Sequence, residues 1–286
     1  MERFHQSQAK VLVTECAAVL RYQMDHERAS TKAMDLGSLL DCLVFDRRDR
    51  YRVVEVDWGV YASGPRKGQP REPSWANEAA STVAADLETK GVLPVLQKDV
   101  DALQDQADRA RQRLGDMLGG RKRDTLPRVQ WVSALGVECE GEPDLIWSDA
   151  VRMGTIDLKR TTALNPRAMQ RQIAAMGWDI QGAAYREAAL SLYPDHKYEG
   201  HTLLACQSGG AQLIETYTLD ESYMVIGQTR WEQGQRIWQD CWRTGTWPGY
   251  TAFGTEIGPT RWLVHETLGM DEADDDLSGL GLERQT

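Results

Sequence analysis

Glu142-Pro143-Asp144-Leu145-Ile146 and, beginning twelve residues beyond Asp144, Ile156-Asp157-Leu158-Lys159-Arg160-Thr161-Thr162 carry the chemistry of this sequence. Apolar residues bracket Asp157 as they would in a buried strand. Residues i and i+2 of a strand point to one face, so Asp157 and Lys159 project together. A neighbouring strand over 144–147 would bring Asp144 to the same spot. Two carboxylates and an ammonium then converge. The acids can hold a divalent cation, and the lysine can orient an attacking water or stabilise charge developing on a phosphate. An acid-x-Lys triplet alone is common: Glu88-Thr89-Lys90 and Asp195-His196-Lys197 also fit. Glu88 sits in a helix-like run and Asp195 follows Pro194 in a loop, whereas Asp157 combines apolar strand flanks with a Pro-Asp at hairpin distance. The plain alternative is a surface hairpin ion pair, worth about 0–1 kcal/mol.

Around this segment the chain reads as short strands. Residues 137–140, 145–147 and 155–158 form an expected β-meander, with turns at Gly141 and Ser148-Asp149. A helical stretch over 166–192 follows, then strands over 201–206 and 211–218. Thr218-Leu219-Asp220-Glu221 has the form of a capping box. It opens a helix with Met224, Gly227, Trp231, Gly234, Trp238, Cys241 and Trp242 along one stripe, a core face that stops at Gly245. Upstream the chain is mostly helical. A helix is expected over 7–22, and a second, capped by Ser30 or Thr31, runs through Met34, Leu39, Leu40 and Leu43. Three prolines and two glycines make 64–74 a loop. Val100, Leu103, Ala107, Ala110, Leu114 and Met117 repeat at helical spacing, and Gly119-Gly120 ends that helix. The expected organisation is a single domain over 1–265, helical over 1–125 with a catalytic core over 126–250, and a flexible acidic tail over 266–286.

Downstream of the acids, Gln181 and Tyr185 lie at i and i+4 and share a helix face. The order Pro-Asp, Asp-x-Lys, Gln-x-x-x-Tyr resembles the PD-(D/E)xK nuclease superfamily, and within it the exonuclease VIII (RecE-type) and phage recombination exonucleases. The resemblance runs over most of residues 7–250. It includes Ala33-Met34-Asp35-Leu36-Gly37-Ser38-Leu39-Leu40 and Trp247-Pro248-Gly249-Tyr250. It implies an α/β fold with a restriction-endonuclease-like core, in which helices flank a central mixed β-sheet, preceded by a helical N-terminal region. It also implies magnesium-dependent 5′-to-3′ digestion of linear duplex DNA. Carried over by residue, Asp144 and Asp157 are metal ligands, Lys159 is the catalytic lysine, and Gln181 and Tyr185 form the Gln-x-x-x-Tyr motif.

Two departures stand out. Relatives carry His at the end of a G-[ST]-x-x-H segment, where Asp41 stands here. Aspartate is a legitimate ligand for magnesium or manganese, so Asp41 joins the metal set. The second is an acidic residue before Trp131 that 126–130 do not supply. Glu138 and Glu140 are both open candidates. Relatives that hold an iron–sulfur cluster use close-spaced late cysteines. Only Cys206 and Cys241 lie late here, so no cluster is expected.

Composition fits this picture. The five cysteines are scattered without a C-x-x-C pair, which speaks against a disulfide framework or structural zinc, and no H-E-x-x-H occurs. There is no apolar run long enough for a membrane span and no signal-peptide pattern, so a cytoplasmic protein is expected. The formal charge of −10 is uneven: 266–286 hold seven acids and one base, leaving −4 for the rest. Two stretches, 108–128 with seven bases against three acids and 152–171 with five against one, are locally basic. They are either solvated surface or a track for DNA phosphates, with Arg160, Arg167 and Arg171, joined by Arg121, Lys122 and Arg123, as the contacting residues. The partners expected by resemblance are duplex DNA ends, further copies of the chain in a ring, and a single-strand annealing protein. The acidic tail reads as a solubiliser, as a docking peptide for that partner, or as a competitor of DNA for the basic track.

Overall fold

The computed structural model describes residues 2–26, 30–125, 128–251 and 266. Met1–Trp247 pack as one compact unit. Its centre is a five-stranded mixed sheet in the order β3 (Lys122–Asp124), β6 (Leu145–Ser148), β7 (Arg152–Thr161), β8 (Lys197–Gln207), β9 (Ile214–Thr218). β6 pairs antiparallel with β3 and with β7, β7 and β8 are parallel, and β9 returns antiparallel to β8. The parallel pair requires a crossover. It is made by α6 (Pro166–Met176) and α7 (Trp178–Leu192). Gly177, with φ 69°, turns the chain between them, so the helix expected over 166–192 is two.

Each face of the sheet is apolar, as burial on both sides demands. Leu145, Trp147, Ile156, Leu158, Leu204 and Cys206 pack under α3 (Lys32–Val44) and α5 (Gln97–Leu118). On the other face, Leu203 and Ala205 pack with Met169 and Ile173 of α6 and with Trp178. A third cluster joins α1 (Gln6–Thr14), α2 (Ala17–Asp25), α7 and α8 (Glu221–Thr244) around buried Trp231 and Trp238, so the tryptophan stripe is core.

The caps explain several boundaries. Thr31 accepts a hydrogen bond from the Met34 amide and starts α3. α5 ends at Gly119 (φ 55°), and α8 ends at Gly245 in the left-handed region. The N-cap of α8 is Asp220, which accepts from the Tyr223 amide at 2.9 Å. Thr218 instead closes β9, where its hydroxyl meets that of Thr202 at 2.9 Å, so the expected capping box does not form. The helix expected over 7–22 breaks at Glu15-Cys16, where Cys16 is extended. The break lets Leu12 and Leu20 enter the same tryptophan-rich core.

The expected meander is also corrected. β5 (Glu138–Gly141) pairs with β4 (Val129–Val132) in a separate two-stranded sheet, not with β6. Pro143 has no N–H to give a ladder, and it separates the two strands. Three further elements carry little periodicity: the parallel pair β1 (Tyr51–Val53) and β2 (Leu93–Val95), and α4 (Glu78–Thr89), capped by Asn77.

Candidate active site

β6 and β7 pair with Leu145 opposite Ile156, which puts Asp144 at the strand end beside Asp157. Asp144 Oδ2 accepts the Leu158 amide at 2.7 Å, fixing that carboxylate against β7. Asp157 and Lys159 share the face turned to α7, as alternation requires. The Lys159 ammonium is in ionic contact with Asp157 Oδ2 and stands 5.5 Å above the Trp178 ring. Asp157 is 2% exposed. Its Oδ1 accepts from the Gln181 amide at 3.0 Å. That same amide nitrogen donates to the Tyr185 hydroxyl at 3.1 Å, which donates to the Glu142 carbonyl at 2.9 Å. Gln181 and Tyr185 therefore tie α7 to both acid-bearing segments.

Asp41, in the last turns of α3, reaches the same cluster through a residue the sequence reading passed over. Phe45 caps α3, Asp46 takes the left-handed conformation (φ 53°), and the chain swings Arg47 back so that its amide donates to the Cys42 carbonyl. The Arg47 guanidinium donates from Nη1 to Asp41 Oδ2 at 2.8 Å and lies 3.8 Å from Asp144 Oδ1. Its Nη2 donates to the Asp144 carbonyl at 2.8 Å. No spacing rule links positions 41, 47 and 144; only the turn at Asp46 brings them together.

Burial pushes the Asp144 carboxyl well above the usual carboxylate range, reinforced by the charges of Asp157 and Asp41. Burial also raises Asp41, against the lowering effect of Arg47. Three acids in one largely buried place favour a hard cation with oxygen ligands. Asp41 Oδ1 is buried without a hydrogen-bond partner, and Asp157 Oδ2 has none beyond its ionic contact with Lys159. The donor set thus fits magnesium or manganese. Among the described residues no three acidic, His or Cys side chains stand as a ready coordination cluster, and Arg47 sits between Asp41 and Asp144.

The basic residues divide. Arg167 and Arg171 are exposed at i and i+4 on α6, the helix that follows β7. Arg160 projects to the opposite face from Lys159, where Leu158 and Cys206 pack, and its Nε is buried without a partner. Arg121, Lys122 and Arg123 are not brought to the acids. They lie at the sheet edge, with Lys122 opposite Ser148, the end of β6 remote from Asp144. Arg121 stacks on Trp147 at 4.6 Å, and Lys122 pairs with Asp124 at 2.9 Å. Glu140 is held by Arg128 at 3.3 Å and by Gln130 at 2.8 Å on the small sheet, while Glu138 is exposed.

Residues 6–253 match the model of a family described as a PDDEXK-like domain of unknown function (DUF3799). The chain belongs to that family. Its fold is accordingly that of the PD-(D/E)xK nuclease superfamily. A solved structure from Eubacterium rectale, described as a candidate exonuclease, is similar at a TM-score of 0.53 with 13% identity, over 94% of both chains. An alkaline exonuclease from Laribacter hongkongensis is 12% identical, covering 59% of this chain and 87% of its own at a TM-score of 0.26. No curated protein matches the sequence.

Proposed function

We propose that this protein is a divalent-metal-dependent DNA exonuclease that digests linear duplex 5′ to 3′, leaving single-stranded tails for phage or prophage recombination. The observation carrying the reading is the convergence of Asp144, Asp157 and Lys159 at adjoining strands, locked by Gln181 and Tyr185 from α7. Asp41, Asp144 and Asp157 would hold magnesium, with manganese as a substitute. Such a cation supplies a Lewis acid that activates water and offsets charge on the scissile phosphate. Lys159, seated over Trp178, orients the attacking water and adds a positive charge where the phosphate gains negative charge. Gln181 fixes the Asp157 carboxylate so that one oxygen stays turned to Lys159. Arg167 and Arg171 supply phosphate contacts beside the site, with Arg160 and the 121–123 cluster as more distant contributors.

The nuclease domain covers 1–265 in this reading, and the protein works in the cytoplasm of a bacterial host as a ring of identical chains. No helix among the described residues is long and apolar enough to cross a membrane. The acidic tail lies outside the described residues apart from Glu266. Deletion of 266–286 separates its three readings: lost association with a single-strand annealing protein marks a docking peptide, tighter DNA binding marks a competitor of DNA, and no change in either marks a solubiliser.

One observation favours a second reading: Arg47 stands between two of the three acids, as it would in a DNA-binding or assembly module with weakened catalysis. Incubation with linear and closed circular duplex, with magnesium or with chelator, separates the readings. Exonuclease activity requires loss of linear duplex alone, and only with magnesium. Loss of both forms indicates an endonuclease, and binding without loss of either indicates the module.

A further inference from the structure

Arg47 has too many ties to the acids to be surface decoration. Its side chain is 10% exposed, its guanidinium lies 5.3 Å from the Phe45 ring centroid, and its two terminal nitrogens engage Asp41 and both the carboxylate and carbonyl of Asp144. Charge balance gives this position a meaning. Without metal, three carboxylates face Arg47 and Lys159, the nearby Arg50 being matched by Glu142 at 3.1 Å, and Arg47 is the one that holds Asp41 and Asp144 in proximity. Adding a divalent cation changes the account: the metal and Lys159 together neutralise the three acids, and the guanidinium becomes surplus. A cation fixed within a few ångströms of a divalent ion also repels it.

Resting on the metal-site reading above, we propose that Arg47 is a resident counter-ion of the carboxylate cluster. It keeps the acids assembled when no metal is bound, and its pairing with Asp41 and Asp144 yields when a divalent cation enters. Arg47 is in this sense a positioning residue that sets metal affinity. It stabilises the metal-free protein and weakens metal binding.

A purely structural clip would move both properties the same way, so the signs separate the two. Arg47→Met keeps the stem volume and removes the charge, and Arg47→Lys keeps the charge and loses the fork. The measurements are calorimetric titration with Mn2+ alone and thermal melting in chelator and in saturating Mn2+. The expected result for Arg47→Met is Mn2+ binding at least about threefold tighter than wild type, from the loss of a nearby like charge. Its melting temperature falls below wild type in chelator, and the gap closes with Mn2+. Arg47→Lys stays near the wild-type affinity. If Arg47→Met folds only when Mn2+ is present, the proposal stands. Binding that is unchanged or weaker, or a deficit in melting that Mn2+ does not close, overturns it. A wild-type protein that takes up no Mn2+ sinks the metal-site reading itself, a distinct failure.

Discussion

Lys159 places its charge between two partners: its ammonium stands over the Trp178 ring and faces an acid that is 2% exposed. Lys159→Ala should lower hydrolysis by about 10²–10³-fold, the usual loss of one group stabilising developing charge. It should also cost about 1–3 kcal/mol of stability, since Asp157 is left buried without its cation. Single-turnover digestion and a denaturant midpoint measure the two effects; wild-type turnover in the folded variant removes Lys159 from the mechanism. At this scale the sequence was informative where chemistry and spacing coincide. Asp157, Lys159, Gln181 and Tyr185 sit at i, i+2 and at i, i+4 of regular elements, so their faces follow from backbone geometry alone. Arg47 was illegible because its place depends on one left-handed residue, Asp46, in a turn.

Among the elements, the contact of α7 with α8 positions the Gln181–Tyr185 face. Gly227 of α8 lies against the Asp179 carbonyl: a Cβ added there would stand 2.1 Å from that oxygen. Arg230, one turn further on, pairs with buried Asp179 at 2.7 Å. Gly227→Ala must therefore push the helices apart, and we expect a loss of at least about 2–3 kcal/mol by chemical denaturation. An unchanged midpoint would show that the helices separate freely. The helices α5 and α8 were readable from their apolar period and glycine stops. The strands were harder. β4 and β5 alternate well enough, yet nothing local says that they pair with each other rather than with β6. β1, β2 and β3 are three residues each, too short for a period to show.

Over the whole molecule, charge and proton balance give two further expectations. Exposed Arg167 and Arg171 have the freedom to meet phosphates, so replacing both with Ala should flatten the dependence of DNA binding on salt by about two counterions. A slope unchanged from wild type would take α6 out of the DNA path. The second concerns His201, fully buried between β7 and α7, with Nδ1 2.9 Å from the Thr155 hydroxyl. Burial pulls its pKa down from 6.5 to about 4, so the folded protein favours the neutral ring. Its contribution is complete above the unfolded pKa and is lost as pH falls from 6.5 toward 4, amounting to about 3 kcal/mol by linkage. The stability gap between wild type and His201→Leu should thus narrow on acidification, as read from urea midpoints. A gap constant with pH would mean that the folded ring protonates as easily as the free one. The ties that close the acid cluster span 97 residues from Arg47 to Asp144, 43 from Glu142 to Tyr185 and 24 from Asp157 to Gln181. Loop closure of that length comes late in folding, after local helices have formed. A nascent chain that has emerged only through β7 carries Asp41, Asp144, Asp157 and Lys159 without the helix that locks them. A half-made chain therefore carries the parts of the site without the ties from α7 that lock them.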